Sequence, residues 1–140
     1  MDLQRAIQIA TEAHKNQYDR YGAPFLEHVT RVMNAGKTEE EKIVGVLHDI
    51  IEKTDWDVKK LEMEGFGKNL IEAVSCLSKT SDKEDYELLI ERVKTNTLAV
   101  KVKLNDLTDN LDIKRMKEFK QEDLERFNKY LKAYHQLSAL

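Results

Sequence analysis

The sequence is poor in the residues that build disulfide and metal–thiolate sites. Its 140 residues include a single cysteine, Cys76. One thiol cannot form an internal disulfide, and it cannot supply the cysteine cluster of a zinc ribbon or an iron–sulfur centre. These three classes of protein are therefore excluded.

Turn-forming residues are also scarce. One proline and five glycines leave little turn chemistry for a protein built of many β-strands. Hydrophobic residues make up 41% of the chain, which is enough for the core of one domain but not of two. We therefore expect residues 1–140 to form one domain.

The chain lacks both a strong charge of one sign and a long apolar run. It has 23 Lys+Arg and 26 Asp+Glu residues, interspersed, so the net charge of −3 creates no strong field for nucleic acid or an anionic membrane. No window approaches the roughly 18 apolar residues of a membrane-spanning helix, and the N-terminus has no signal-peptide pattern. We expect a cytoplasmic protein that binds neither duplex nucleic acid nor a membrane.

Apolar residues recur at helical spacing along the chain, and capping residues mark where helices begin. Asp2, Pro24, Thr38 and Asp57 each precede such a repeat. The last repeat predicts a long final helix lined by Leu124, Phe127, Leu131, Tyr134 and Leu137. The pattern predicts a single-domain, all-α helical bundle, in which the final helix is either a lid on the core or the interface of a homo-oligomer.

The segment 98–111 fits two kinds of secondary structure. Val100, Val102 and Leu104 alternate with lysines, as they would in a strand. One helical face, however, carries Val100, Leu104, Leu107 and Leu111, while Val102 lies on the opposite side. We predict a helix that runs through the centre of the bundle, where a carboxylate near its middle is shielded from water.

Some histidine and acidic residues lie among apolar residues, where burial of a polar side chain without a partner costs free energy. His48 and Asp49 lie in the apolar stretch 46–51, which we predict to be helical, and both need partners if they are buried. A hydrogen-bonded His–Asp pair is one explanation. A metal site is the alternative, because two further ligand residues are predicted nearby. His28 lies on the apolar side of the preceding helix, and Asp106 lies on the predicted helix 98–111, which is apolar on two sides. Glu52, four residues after His48, points to the same side of its helix.

Two imidazoles and two carboxylates from three predicted helices form a ligand set suited to a divalent first-row ion. Imidazole binds without adding charge, and each carboxylate offsets one charge of the ion. Such an ion lowers the pKa of water toward about 7 and polarises a phosphoryl oxygen. The ligand set alone accepts Mn²⁺, Fe²⁺, Co²⁺ or Zn²⁺.

These residues resemble the motifs of a known family. The segments that carry the likeness are 13–17, 22–28, 47–54 and 102–110. They are similar to those of the HD superfamily of metal-dependent phosphohydrolases, and within it to the hydrolase domain of RelA/SpoT-type alarmone enzymes and their small stand-alone relatives. Those enzymes remove pyrophosphate from the 3′ position of (p)ppGpp with Mn²⁺. The 140 residues contain no counterpart of the family's synthetase or regulatory domains.

The resemblance implies a role for each residue of the motifs. It implies the metal ligands His28, His48, Asp49 and Asp106, with Mn²⁺ as the ion. Glu52 would position or deprotonate the attacking water, and Asn110 would contact either the substrate or the residues around the metal. His14 matches a family position outside the metal site, where we expect a structural role.

Lys53 departs from the family pattern, which usually has an aspartate after the glutamate. Lys53 lies four residues after Asp49, so it either pairs with that carboxylate or points to solvent. The alternative interpretation makes Lys53 part of the catalytic site beside Glu52, where it contacts a substrate phosphate or impairs hydrolysis.

Other departures concern phosphate binding. Asp19 stands where the family has an arginine, with Arg20 one residue later, and Leu107 replaces a second arginine. Asn16 replaces a usual glycine. The remaining candidates for phosphate contacts are Lys15, Arg20, Arg31, Lys103 and Lys114. The basic run 114–117 is expected to be the solvated end of a helix.

The sequence therefore indicates a metal-dependent phosphohydrolase whose substrate is a small phosphorylated nucleotide. By resemblance, the nearest activity is that of a guanosine-3′,5′-bis(diphosphate) 3′-pyrophosphohydrolase. One alternative is a 5′-nucleotidase of the same superfamily acting on a nucleoside monophosphate. Another is a metal-containing module that binds a nucleotide and hydrolyses it poorly.

Overall fold

Helices account for nearly all of the regular structure in the computed structural model, which describes residues 2–140. Within that range the helices are α1 Leu3–Ala13, α2 Phe25–Ala35, α3 Glu39–Leu47, α4 Ile50–Lys53, α5 Val58–Met63, α6 Lys68–Cys76, α7 Tyr86–Lys94, α8 Thr97–Asn110 and α9 Gln121–Ser138. A 3₁₀ turn, Ile113–Arg115, precedes α9. Residues 2–140 contain no strand, only an isolated bridge between Tyr18 and Pro24. The predicted all-α fold is confirmed.

Side-chain caps begin several of these helices. The carboxylate of Asp2 accepts a hydrogen bond from the Arg5 N–H at the start of α1. Thr38 caps α3 in the same way, because its hydroxyl accepts from the Glu41 N–H while the Glu41 carboxylate accepts from the Thr38 hydroxyl. These two starts lie where the sequence predicts them.

The centre of the bundle is formed by α3 and α8. Helix α3 packs against α1, α2, α6 and α8, and α8 also contacts α2, α6, α7 and α9. Gly45 allows α3 to approach α2 closely, since a Cβ atom there would lie 3.1 Å from the Met33 Cα of α2. The predicted central helix over 98–111 is confirmed as α8, with Ala99, Val102 and Leu107 fully buried.

Two details differ from the sequence-based expectations. The helix predicted through His48 and Asp49 is interrupted there, because α3 ends at Leu47 and a separate turn, α4, begins at Ile50. On α9, Leu124 and Leu131 are each 43% exposed, so they do not line the core. Helix α9 packs mainly on α8. Only a narrow stripe of α9, which includes Phe127 and Leu137, is therefore buried.

No helix in the described range 2–140 is long and apolar enough to cross a membrane.

Candidate metal centre

Side chains from three parts of the chain meet beside α8. His28 comes from α2, His48 and Asp49 from the break between α3 and α4, and Asp106 from the middle of α8. Asp106 Oδ1 lies 3.0 Å from His28 Nε2 and 3.3 Å from His48 Nε2. Asp49 Oδ2 lies 3.1 Å from His48 Nε2 and 3.7 Å from His28 Nε2. The structure therefore brings together all four residues for which the sequence predicts metal binding.

The cluster has the donor atoms that a metal ion needs. His28, His48 and Asp49 each offer one atom within 4.8 Å of the others. His48 is 2% exposed, and its Nε2 has no hydrogen-bond partner in residues 2–140 although two carboxylate oxygens lie close. A buried nitrogen facing carboxylates without hydrogen-bond geometry is the arrangement expected where a cation shares these ligands. The residues present therefore fit a divalent ion.

The second carboxylate oxygen of Asp106, Oδ2, forms an ion pair with a lysine of the same helix. Lys103 Nζ lies 2.9 Å from Asp106 Oδ2, and Lys103 is buried with its ammonium 5.5 Å from the centre of the Tyr86 ring. Asn110 donates to Asp106 Oδ1 at 3.1 Å. Two of the residues for which the sequence predicts substrate contacts, Lys103 and Asn110, therefore reach the Asp106 carboxylate.

In this cluster, the combined attraction between opposite charges shifts the pKa values further than burial does, and in the opposite direction. Burial opposes ionisation of Asp106, but Lys103 and His48 hold its pKa well below the ordinary value. Burial likewise opposes ionisation of Asp49, and His48 lowers its pKa to about 2. Both carboxylates are therefore ionised at neutral pH. Against the effect of burial, Asp49 and Asp106 raise the pKa of His48 well above its usual value.

The outward nitrogens of the two imidazoles have different partners. His28 Nδ1 lies 2.7 Å from Asp109 Oδ2. His48 Nδ1 lies 2.6 Å from the carbonyl oxygen of Gly45, so it donates to that oxygen. In both cases the acceptor behind the ring turns Nε2 toward the cluster.

The cluster lies at one side of a cavity of about 740 Å³. Its wall includes Arg20, Glu52, Lys53, Lys103 and Asn110, all of which the sequence predicts as site residues. Lys15 is exposed in the turn after α1 and is not part of this wall, so its substrate contact stays a prediction from the sequence.

Glu52 and Lys53 occupy the rim of the cavity. Glu52 Oε1 accepts a hydrogen bond of 2.9 Å from the backbone N–H of Lys79. Lys53 Nζ lies 5.4 Å from the centre of the Phe25 ring. Within residues 2–140 Lys53 has no carboxylate within 4 Å, so the predicted alternative in which it pairs with Asp49 is not formed.

Several cavity residues escape sequence-based prediction. Lys79, Arg126 and Lys129 add positive charge to the wall, and Tyr86 and Tyr130 add aromatic rings. The sequence predicts Arg115 in a solvated helix end, yet its guanidinium donates to the Asp109 carbonyl at 2.9 Å. Each of these residues is basic or aromatic and faces the cavity from α7, α9 or a loop. This shared position can be recognised only from the tertiary fold.

Comparisons with known proteins agree with this architecture. No protein-family model matches the chain. A solved structure described as a metazoan orthologue of SpoT that hydrolyses ppGpp and plays a role in starvation responses matches with a TM-score of 0.80 and 23% identity, covering 96% of this chain and 84% of that chain. The chain therefore has the fold of this SpoT orthologue.

Curated relatives give the more particular likeness. A guanosine-3′,5′-bis(diphosphate) 3′-pyrophosphohydrolase of Aquifex aeolicus is 29% identical over an alignment of 139 residues, which covers 91% of this chain and 20% of that protein. The protein of that name in Haemophilus influenzae is 29% identical over 117 residues, covering 74% of this chain and 17% of that protein. The chain thus spans about a fifth of these relatives. The resemblance to RelA/SpoT-type hydrolase domains is confirmed.

Proposed function

We propose that the chain is a Mn²⁺-dependent phosphohydrolase domain that releases pyrophosphate from the 3′ position of a guanosine bis(diphosphate)-type nucleotide. The observation that carries the proposal is the unpartnered, buried Nε2 of His48 among three further ligand groups at the edge of a charged cavity. The names of the curated relatives agree with this substrate.

The ion would be held by His28, His48, Asp49 and Asp106. Two neutral imidazoles and two carboxylates match the preference of a first-row divalent ion, and the two negative charges balance the charge of the ion. When bound, such an ion lowers the pKa of water toward about 7 and stabilises charge on a phosphoryl oxygen.

The cavity suits a nucleotide that carries several phosphates. Arg20, Lys53, Lys79, Arg126 and Lys129 offer positive charge along the wall. Tyr86 and Tyr130, whose ring centres lie 6.1 Å apart, offer aromatic surface for a base. The cavity volume of about 740 Å³ is within the usual range of roughly 300–1,000 Å³ for small-molecule sites.

Glu52 is the residue we assign to proton transfer. One of its oxygens is held by the Lys79 N–H, and none of residues 2–140 donates to the other oxygen, which is free to accept a proton. Water attacks the phosphorus next to the ribose, and Glu52 takes the proton that the water loses. The bond between that phosphorus and the 3′ oxygen breaks, the proton passes to the 3′ oxygen, and pyrophosphate leaves.

Metal binding is tested with Asp49→Asn, which removes one ligand charge and keeps the side-chain shape. We expect calorimetric titration with Mn²⁺ to show binding by the wild-type protein and at least a hundredfold weaker binding by the variant. Asp55→Asn, an exposed aspartate outside the cavity wall, is the matched control and is expected to bind as wild type does. Equal Mn²⁺ affinity of Asp49→Asn and wild type would remove Asp49 from the site.

The substrate is tested by incubating the Mn²⁺-loaded protein with ppGpp, GTP and deoxynucleoside monophosphates. We expect pyrophosphate from ppGpp, and a loss of most of the rate in Glu52→Gln with Mn²⁺ affinity unchanged. Orthophosphate from a monophosphate would instead identify a 5′-nucleotidase. Binding of ppGpp without turnover would identify a nucleotide-binding module.

A further inference from the structure

The two histidines of the cluster are supported from behind by different chemical groups. His48 Nδ1 donates to a neutral acceptor, the carbonyl oxygen of Gly45 on its own helix. His28 Nδ1 instead faces the carboxylate of Asp109, which comes from α8, 81 residues further along the chain. Only His28 therefore has a charged partner whose position depends on the packing of two helices.

The carboxylate of Asp109 is fixed by two arginines. Arg31 donates to both oxygens, with Nε 2.6 Å from Oδ1 and Nη2 3.2 Å from Oδ2. Arg115 Nη1 lies 3.6 Å from Oδ1, and Arg115 also donates to the Asp109 carbonyl. The Asp109 side chain is 10% exposed. Such a clamp leaves the carboxylate little freedom to turn away from His28.

A carboxylate cannot donate, so the hydrogen atom between Asp109 and His28 Nδ1 belongs to the imidazole. A proton on Nδ1 leaves the lone pair of a neutral ring on Nε2. Nε2 is the atom that faces Asp49 and Asp106, 3.7 and 3.0 Å from their oxygens. The outer hydrogen bond thus selects both the rotation and the tautomer of the ring.

We propose that Asp109 is a positioning residue of the metal centre: it holds His28 as the Nδ1–H tautomer with Nε2 directed at the cation, and Arg31 and Arg115 hold Asp109. The role rests on the proposed function, since it requires a cation between these ligands. Asp109 does not line the cavity, and it acts only through His28. Carboxylates behind metal-binding histidines raise ligand basicity and typically contribute 10–100-fold to metal affinity.

The informative substitution is Asp109→Asn. Arg31 Nε donates to Oδ1 at 2.6 Å and Nη2 to Oδ2 at the longer distance of 3.2 Å. The shorter hydrogen bond retains the amide oxygen at the Oδ1 position and turns the amide NH₂ toward His28. Because the NH₂ group is a donor, His28 Nδ1 must accept, and the ring proton moves to Nε2. That nitrogen can then no longer bind a cation without first losing its proton.

The first test is calorimetric titration of the metal-free full chain with Mn²⁺ alone. We expect Asp109→Asn to bind Mn²⁺ between roughly 10-fold and 100-fold more weakly than wild type. Glu64→Gln is the matched control, because Glu64 is also held by an arginine, Arg5 at 2.8 Å, but neither residue lines the cavity. The control is expected to bind Mn²⁺ as wild type does. Equal affinities of Asp109→Asn and wild type would overturn the role of Asp109.

The second test needs no variant and therefore does not depend on whether Asp109→Asn folds. Ring-nitrogen NMR of the wild-type protein loaded with diamagnetic Zn²⁺ is expected to show a proton on His28 Nδ1 and none on Nε2. A proton on His28 Nε2 would overturn the proposal, whatever the affinities. Absence of Mn²⁺ and Zn²⁺ binding by wild type would overturn the proposed function together with this role. Binding and turnover with an insensitive Asp109→Asn would overturn this role alone.

Discussion

Lys53 brings a positive charge to the cavity rim directly after Glu52. Its ammonium lies against the Phe25 ring, and the side chain is exposed. Phe25 in turn packs on the His28 ring, with 5.4 Å between ring centres. A lysine held near the cluster, with no carboxylate within 4 Å in residues 2–140, is free to bind an anionic ligand.

Replacing Lys53 with methionine tests this role, because the substitution keeps the length of the side chain and removes its charge. We expect KM for ppGpp to rise roughly tenfold, about 1.4 kcal/mol for a lost charge-assisted contact, with kcat little changed. Steady-state kinetics measure both constants. Lys59→Met, on the exposed side of α5, is the control. A rise in kcat would mean instead that the lysine restrains hydrolysis.

Asn16 shows how a departure from the family pattern is accommodated at a single residue. It follows α1 with a φ of +65°, in the left-handed region. Glycine adopts this conformation readily, and asparagine tolerates it better than most other residues do. The sequence identifies the asparagine, but only the backbone shows that its position requires a left-handed conformation.

The break between α3 and α4 is the element that hydrophobic periodicity does not predict. Ile43, Val46, Leu47 and Ile50 continue a helical repeat across it. The His48 ring, however, takes the Gly45 carbonyl as its acceptor and thereby competes for a backbone acceptor of the last turn of α3. The break in the helix therefore arises from a side-chain hydrogen bond. The spacing of apolar residues does not indicate such a bond.

The loop between α6 and α7 is held by an arginine–carboxylate pair, Arg92 and Glu84. Arg92 donates to Glu84 through two nitrogens at 2.8 and 2.9 Å, and to the Ser78 carbonyl at 2.7 Å. The same loop carries Lys79, whose N–H binds Glu52. By holding this loop in place, the pair therefore also helps to fix the position of Glu52.

This pair gives a pH-dependent contribution to stability. The Arg92 hydrogen bond lowers the pKa of Glu84 from 4.5 to about 2. A carboxylate with a lowered pKa stabilises the fold fully above its unfolded pKa, near 4.5, and the contribution is lost as the pH falls toward 2. We expect Glu84→Gln to be less stable than wild type at pH 7 and the difference to shrink between pH 4.5 and 2. Urea unfolding across this range measures it, and a constant difference would contradict the assignment.

At the scale of the whole molecule, the sequence predicts the all-α bundle and the convergence of helices far apart in the chain. Polar residues at predicted buried positions support that prediction: His48 lies in an apolar stretch, and Asp106 lies on a predicted helix that is apolar on two sides. Each needs a buried partner. The sequence does not predict that Asp109 supports His28 or that Arg115 folds back onto α8. The Asp109–His28 contact depends on how α2 packs against α8, and the Arg115 contact depends on the course of the chain after α8. No local sequence pattern contains either.

The ion pair between Lys103 and Asp106 limits what the centre can offer a cation. Because the ammonium occupies Oδ2 at 2.9 Å, Asp106 has a single oxygen to give. Calcium prefers about 6–8 oxygen ligands and often takes both oxygens of a carboxylate, whereas imidazole suits first-row transition ions. At a Mn²⁺ concentration 100 times Kd we expect about 2.7 kcal/mol of stabilisation, a rise in Tm of roughly 5–10 °C, and almost none with equal Ca²⁺.

Thermal unfolding with each ion distinguishes these outcomes, and an equal rise with Ca²⁺ would contradict them. Discrimination between the two ions would then be set in part by a positive charge that belongs to the protein itself.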